Sequence, residues 1–329
     1  MSKCIITGVD LTPEEESEAH VIPNALAGRY KPRGVLSKIA NSDIGQYVEG
    51  PFIRRYAPLM ALLGAKRQRG DHPPFTVEGP DGMRYRYDPD GEITPAKPSY
   101  RSEATGTNGE RIEIVARTMS ELRTLLGRVT ANHPEFDVEM AVTKAQVTSE
   151  VSPTVKVELE FGPHSAFPLT FFAAATLNAA RGLPHHPDAG DYLRIRKSID
   201  PNLSAKLPPD TFYWEPGFEW TRQCPPASHV IASIASPRRK LVITCLRLAG
   251  LATMATVTPY AGSHARLVSY AVDVVAGQNI DASVDAKRIA QEQWSATHIY
   301  QDDPEPIQSI VRSRIAILVE EMGRLGKIR

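Results

Sequence analysis

Ala19-His20-Val21-Ile22-Pro23-Asn24-Ala25-Leu26-Ala27-Gly28-Arg29 is the stretch whose reading decides the rest of the chain. A histidine heads a short β-branched run that a proline closes, so His20–Pro23 is expected as a strand. Asn24 to Arg33 contains Gly28 and Pro32 and reads as a loop. From Val35 the period changes. Val35, Leu36, Ile39, Ala40, Ile44 and Val48 recur at helical spacing, and Gly50-Pro51 is expected to stop that helix. Upstream, Thr12-Pro13-Glu14-Glu15 has the form of a cap followed by proline at the first helical position, which predicts a short helical turn.

Working outward, Tyr56–Leu63 is a second apolar segment. It leads into a basic stretch, Lys66, Arg67 and Arg69, closed by His72-Pro73-Pro74. Residues 1–75 therefore form a first region. Residues 76–150 read as a hairpin-rich connecting region, because Pro80-Asp81-Gly82, Asp90-Gly91 and Asn108-Gly109 are turn signals between alternating segments; Ser120 could cap a helix over 121–131. Residues 151–329 form an α+β C-terminal domain. Its expected elements are a strand over 151–161, an apolar helix over 167–180 that Gly182 ends, strands at 229–235, 240–246 and 265–275, and helices at 284–295 and 305–325. Residues 183–227, rich in proline and aspartate, show no clear period. The fold class is α+β.

Composition bounds the rest. The chain has 329 residues, 42% hydrophobic and 23% charged, enough to build a core and too apolar for general disorder. Formal net charge is zero, so a nucleic-acid partner has to be argued from local clustering. Such a cluster exists. Between Arg29 and Asp71 stand nine basic residues, among them Arg29, Lys31, Arg33, Lys66, Arg67 and Arg69, against Asp43, Glu49 and Asp71. Cys4, Cys224 and Cys245 are odd in number and far apart, which excludes a disulfide framework and fits a reducing, cytoplasmic setting. The longest apolar stretches, near Phe167–Ala180 and Leu241–Met254, are broken by polar residues, so no membrane association is expected.

The stretch quoted first, continued by Gly34-Val35-Leu36-Ser37-Lys38-Ile39-Ala40-Asn41, resembles the HNH, or ββα-metal (His-Me finger), endonuclease family. The likeness is to the branch with His-Val/Ile-Ile-Pro, then Ala-Leu-Gly-Gly, then Leu-Cys-x-x-Cys-Asn. Leu62–Gly70 and Pro73-Pro74 resemble the segment downstream of the motif in that branch. The likeness continues more loosely through the helix near 167–182 and Leu193–Ile199. It implies an N-terminal ββα finger followed by a mixed α+β region, and Mg²⁺- or Mn²⁺-dependent hydrolysis of DNA phosphodiesters, in a setting such as phage defence. His20 stands at the position of the family's general base, and Asn41, 21 positions on, at that of an oxygen ligand to the metal. The chemistry suits the residues: an imidazole titrates near neutrality and can take a proton from water, and a divalent ion offsets charge on the leaving oxygen.

Two departures stand out. The family's second metal ligand precedes the base, where this chain has Ala19; Glu18, one step further, is the nearest substitute. Of the family's four zinc cysteines only Cys4 remains, with Thr7, Ser37 and Ala40 at the other positions, so structural zinc is not expected. An inactive HNH-like DNA-binding or assembly protein is therefore the alternative. The basic residues Arg29, Lys31, Arg33, Lys66, Arg67 and Arg69 are the expected phosphate contacts, and the region after about residue 110 is expected to recognise substrate, sense a signal or form a homodimer. His185-His186, followed by proline, reads as loop; Cys224 and Cys245 read as inert.

Overall fold

The computed structural model describes residues 2–79, 82–88, 93–105, 109–144, 162–216, 218–291, 299–300 and 305–324. The protein is α+β. It divides into two compact units: Met1–His72 with Leu159–Arg329, and Pro73–Glu158. The expected first region and most of the expected C-terminal domain thus contribute to one unit.

In that unit the chain opens with two very short strands, β1 (Glu16–Ser17) and β2 (Leu36–Ser37), paired antiparallel so that Ser17 faces Leu36. Helix α1 (Lys38–Ile44) comes directly after, capped by the Ser37 hydroxyl, which accepts from the Ala40 amide at 3.3 Å. A π-helical turn, Gly45–Glu49, joins it to α2 (Gly50–Leu62). The short helical turn expected at Thr12–Glu15 is present as a single turn, the Glu15 and Glu16 amides both donating to Thr12 O at 3.0 and 2.9 Å. One expectation is corrected here. The helix does not stop at Gly50-Pro51. An α-turn needs a residue-51 amide to bind the Tyr47 carbonyl, and proline has none. The Tyr47 carbonyl instead accepts from Arg196 Nη2 at 3.3 Å, so the lost partner is replaced from outside and the helix runs on.

The second unit holds a three-stranded meander, β3 (Phe75–Glu78), β4 (Arg84–Tyr87) and β5 (Ile93–Pro95), and a hairpin of β6 (Ser99–Thr105) and β7 (Gly109–Val115). Its helices are α3 (Met119–Asn132) and α4 (Val138–Lys144). The α3 cap is Thr118, whose hydroxyl accepts from Glu121 N–H, rather than Ser120. The hairpin expectation over this region agrees with these strands. The strand expected at 151–161 lies outside the described residues.

The chain then returns to the first unit with α5 (Pro163–Ala180), buried on all sides from Ser165 to Asn178. A helix apolar all round must lie inside a core. Gly182, at φ +67°, terminates it, with Leu183 N–H returning to Asn178 O at 2.7 Å. Two shorter helices, α6 (Ala189–Arg196) and α7 (Pro201–Ser204), lead to β8 (Thr211–Trp214) and the two-residue β9 (Thr221–Arg222). The main strands are β10 (Ser228–Ser236), β11 (Leu241–Leu248), β12 (Ala252–Pro259) and β13 (Arg266–Asp273). Short strands β14 (Gln278–Asn279) and β15 (Ser283–Val284), helix α8 (Ala286–Gln291), strand β16 (Ile299–Tyr300) and helix α9 (Glu305–Arg324) complete the unit.

Seven of these strands form one antiparallel sheet, ordered β14-β13-β10-β11-β12-β8-β16. Both its faces are covered, which is why its central strands read as near-continuous apolar runs. One face carries Ile231, Leu246, Met254 and Val272 into a core shared with Phe167, Leu169, Ala173 and Leu177 of α5. The other carries Val230, Ala232, Ile243 and Cys245 against Trp214, Trp220 and Ile289. Strands β8 and β12 were not expected from the sequence. On its far side α5 offers Phe171 and Phe172 to Cys4, Leu11, Val35, Leu36, Ala40, Ile44 and Val48. Helix α5 is therefore the wall on which the N-terminal motif rests.

Candidate functional site

Two structural devices fix the approach to His20. After β1 the chain does not continue as the expected strand. Val21 N–H makes a bond to Tyr30 O at 3.0 Å, and Asn24–Leu26 winds into a single 3₁₀ turn. The reason is crowding. A Cβ at residue 28 would lie 1.7 Å from the Ile22 carbonyl oxygen, so the loop folds tightly over Val21 and Ile22 and only glycine fits. Tyr270, from the large sheet, then anchors the loop: its hydroxyl accepts from the Arg29 and Tyr30 amides at 2.7 and 3.2 Å.

The second device joins Cys4 to the start of α1. Ser37 N–H donates to Cys4 Sγ at 3.4 Å, Cys4 is buried, and the Ser37 hydroxyl caps α1 through Ala40. Burial acts to raise the Cys4 thiol pKa, but hydrogen bonds from Thr7 and Ser37 outweigh it and bring the thiol below its ordinary value. The four positions Cys4, Thr7, Ser37 and Ala40 are thus joined by hydrogen bonds. Among the described residues no group of three or more His, Cys, Asp or Glu side chains is arranged to hold a metal.

His20 and Asn41 line one small cavity. Its other walls are Ala19, Val21 and Leu36, then Ile44, Val48 and Glu49 of the helix, and Leu169, Phe172, Ala173 and Thr176 of α5. Its free volume of about 10 Å³ is close to that of a single water site. His20 is half-buried, with Nε2 3.3 Å from Gln68 Oε1. Burial lowers its pKa; Gln68 acts against that, and the nearby Lys31 and Arg69 lower it further. The imidazole is therefore held neutral at pH values where a free histidine begins to charge. With Gln68 Oε1 accepting from Nε2–H, the lone pair lies on Nδ1. Asn41 Nδ2 donates to Ser17 Oγ at 2.9 Å. That bond orients the amide, and among the described residues no hydrogen bond to its oxygen is found.

Glu18 goes elsewhere. Its Oε1 accepts from Arg33 Nε at 2.9 Å and Nη2 at 2.5 Å, and Lys31 Nζ lies 3.5 Å from Oε2. Arg33 and then Lys31 hold its carboxyl below the usual range. It is absent from the cavity wall. The carboxylate found there is Glu49, which the sequence reading counted only as a charge. Glu49 is partly exposed as a residue, and desolvation of its carboxyl pushes its pKa up to about 7.

Of the expected phosphate contacts, several are engaged internally. Arg29 Nη2 donates to Lys66 O, Arg67 Nη1 to Asp71 O, and Arg33 and Lys31 pair with Glu18. The Lys66–Arg69 segment folds back beside His20, pinned by Gln68 N–H donating to Asn24 Oδ1 at 2.8 Å. Asn24, read from sequence as the start of a loop, thus also positions Gln68. Neither Glu49 nor Gln68 was foreseen; the signal for Glu49 is the helix pattern continuing past Gly50-Pro51.

Scans of protein-family models, of curated proteins and of solved structures each found no match to this chain. Among the described residues no helix is long and apolar enough to cross a membrane.

Proposed function

We propose that the chain is an HNH-type, metal-dependent DNA endonuclease in which His20 is the general base and Asn41 an oxygen ligand to Mg²⁺ or Mn²⁺. One observation carries the reading: His20 and Asn41, separate in sequence, line the same water-sized cavity. The donors there are oxygens and an imidazole, the chemistry that suits Mg²⁺ or Mn²⁺. When bound, a divalent ion stabilises charge on the scissile phosphate and its leaving oxygen. Asn41 presents its amide oxygen because Ser17 holds its Nδ2 group. His20, neutral and oriented by Gln68, takes a proton from water at Nδ1. Lys31 and Arg69, near enough to depress its pKa, form the cationic border against which a phosphate backbone can lie.

A second reading, a DNA-binding or assembly protein without turnover, is favoured by buried Ala19 at the family's second ligand position. Supercoiled plasmid incubated with the protein and Mg²⁺ or Mn²⁺ separates the two. Nicking by the parent and a loss of about 10²-fold or more in His20→Ala is the expected result. DNA retention without nicking by either protein supports the second reading.

A further inference from the structure

The cavity wall contains one acidic oxygen donor that the family motif does not supply. Glu49 ends the π-turn, eight positions after Asn41. In an uninterrupted α-helix, eight residues advance about 800°, or roughly 80° beyond two full turns. A π-turn is wider, at roughly 4.4 residues per turn for its i→i+5 bonding. Five residues at that pitch remove most of the excess and bring Glu49 back onto the face that carries Asn41. Both side chains duly line the cavity, with Ile44 and Val48 between them. Among the described residues the Glu49 carboxylate has no hydrogen bond or ion pair, although Arg54 stands one turn on. A buried carboxylate without a partner is destabilising, and such residues are kept where an ion or a proton is handled. Pro51, just after the π-turn, has no amide to offer Tyr47 O, and that carbonyl accepts from Arg196.

We propose that Glu49 is the acidic oxygen ligand of the divalent ion at the His20–Asn41 cavity, taking from the helix the role that Ala19 cannot fill on the other side. The inference rests on the metal-site reading above, but metal binding and nicking test the two separately. Mn²⁺ binding to the full-length parent, Glu49→Gln and Glu49→Met is measured by calorimetry and by the loss of the free-ion electron paramagnetic resonance signal. Melting temperatures without metal show whether each variant folds. Glu49→Met fills a similar volume without charge, so it keeps the test open if the amide is poorly tolerated. The expected result is one Mn²⁺ per parent chain, and affinity at least tenfold weaker in both variants, whose metal-free melting temperatures equal or exceed the parent's. Binding of Mn²⁺ by folded variants with the parent's affinity overturns the proposal, as does absence of Mn²⁺ binding by the parent at millimolar ion. Glu49-dependent binding without nicking upholds the ligand and removes the nuclease reading. Nicking by the parent with unaltered Mn²⁺ affinity in the variants does the reverse.

Discussion

At the scale of single residues, the site depends on positions that tolerate one chemistry only. Gly28 is one. A methyl group there meets the Ile22 carbonyl at 1.7 Å, so Gly28→Ala has to displace the loop that carries His20. We expect a loss of about 2–4 kcal/mol in urea unfolding, since the clash is with backbone and cannot be relieved by a rotamer change; a loss under about 0.5 kcal/mol would contradict this geometry. His229, outside the cavity wall, is a second residue with a sharp chemical requirement. It is fully buried, its Nδ1 accepts from Ala249 N–H at 2.9 Å, and burial drives its pKa down to about 3. The unfolded chain takes up a proton there below about pH 6.5, and the native chain does not until about pH 3. Stability is therefore present above the unfolded value and is lost as pH falls, by about 1.4 kcal/mol per pH unit for that one proton. His229→Gln is expected to show a shallower decline between pH 6 and 4 in denaturant midpoints. Identical slopes in parent and variant would rule the assignment out. His20 and Asn41 stand out as candidates in the sequence, and the structure places both on one cavity wall. Gly28 could be read as a loop glycine, but the carbonyl it must clear belongs to folded coordinates.

Among elements, the helix running from Lys38 to Leu62 is the informative one. Sequence periodicity placed its first half correctly and misread its continuation, because proline normally ends a helix. What local pattern does not contain is Arg196, almost 150 residues on, which binds the carbonyl that Pro51 leaves free and also donates to Ser204 O. Arg196→Ala strips both carbonyls of a donor. A cost of about 1–3 kcal/mol is expected, with weaker Mn²⁺ binding because the turn that aims Glu49 loosens. Unchanged stability and unchanged metal affinity together would separate Arg196 from the site. Helix α5 shows the opposite case. Its uniform apolar composition is legible in the sequence, and the helix forms a wall of the cavity. Strands β8 and β12 escaped notice for lack of a period: their residues are buried on both faces, so alternation, the usual strand signal, is erased.

For the whole molecule, the α+β class was readable from the alternation of periodic segments, whereas the return of the chain at residue 159 to the unit begun at residue 1 was not. Local pattern carries no record of which distant segments share a core. The zero net charge likewise hides the basic segment beside His20. Because Arg29, Lys31, Arg33 and Arg67 are partly satisfied within the protein, Lys66 and Arg69 are the expected main phosphate contacts. The double variant Lys66→Ala/Arg69→Ala should weaken binding to unrelated duplexes about equally and reduce the slope of log K against log salt by roughly 2. An unchanged slope would place the nucleic-acid path elsewhere.

The most direct measurement of the central claim is anomalous scattering from crystals of the full chain soaked in Mn²⁺. The account expects a single manganese peak within coordination distance of the Asn41 amide oxygen, in the cavity that His20 borders. Manganese bound only at a remote surface position, with that cavity holding water alone, would contradict it.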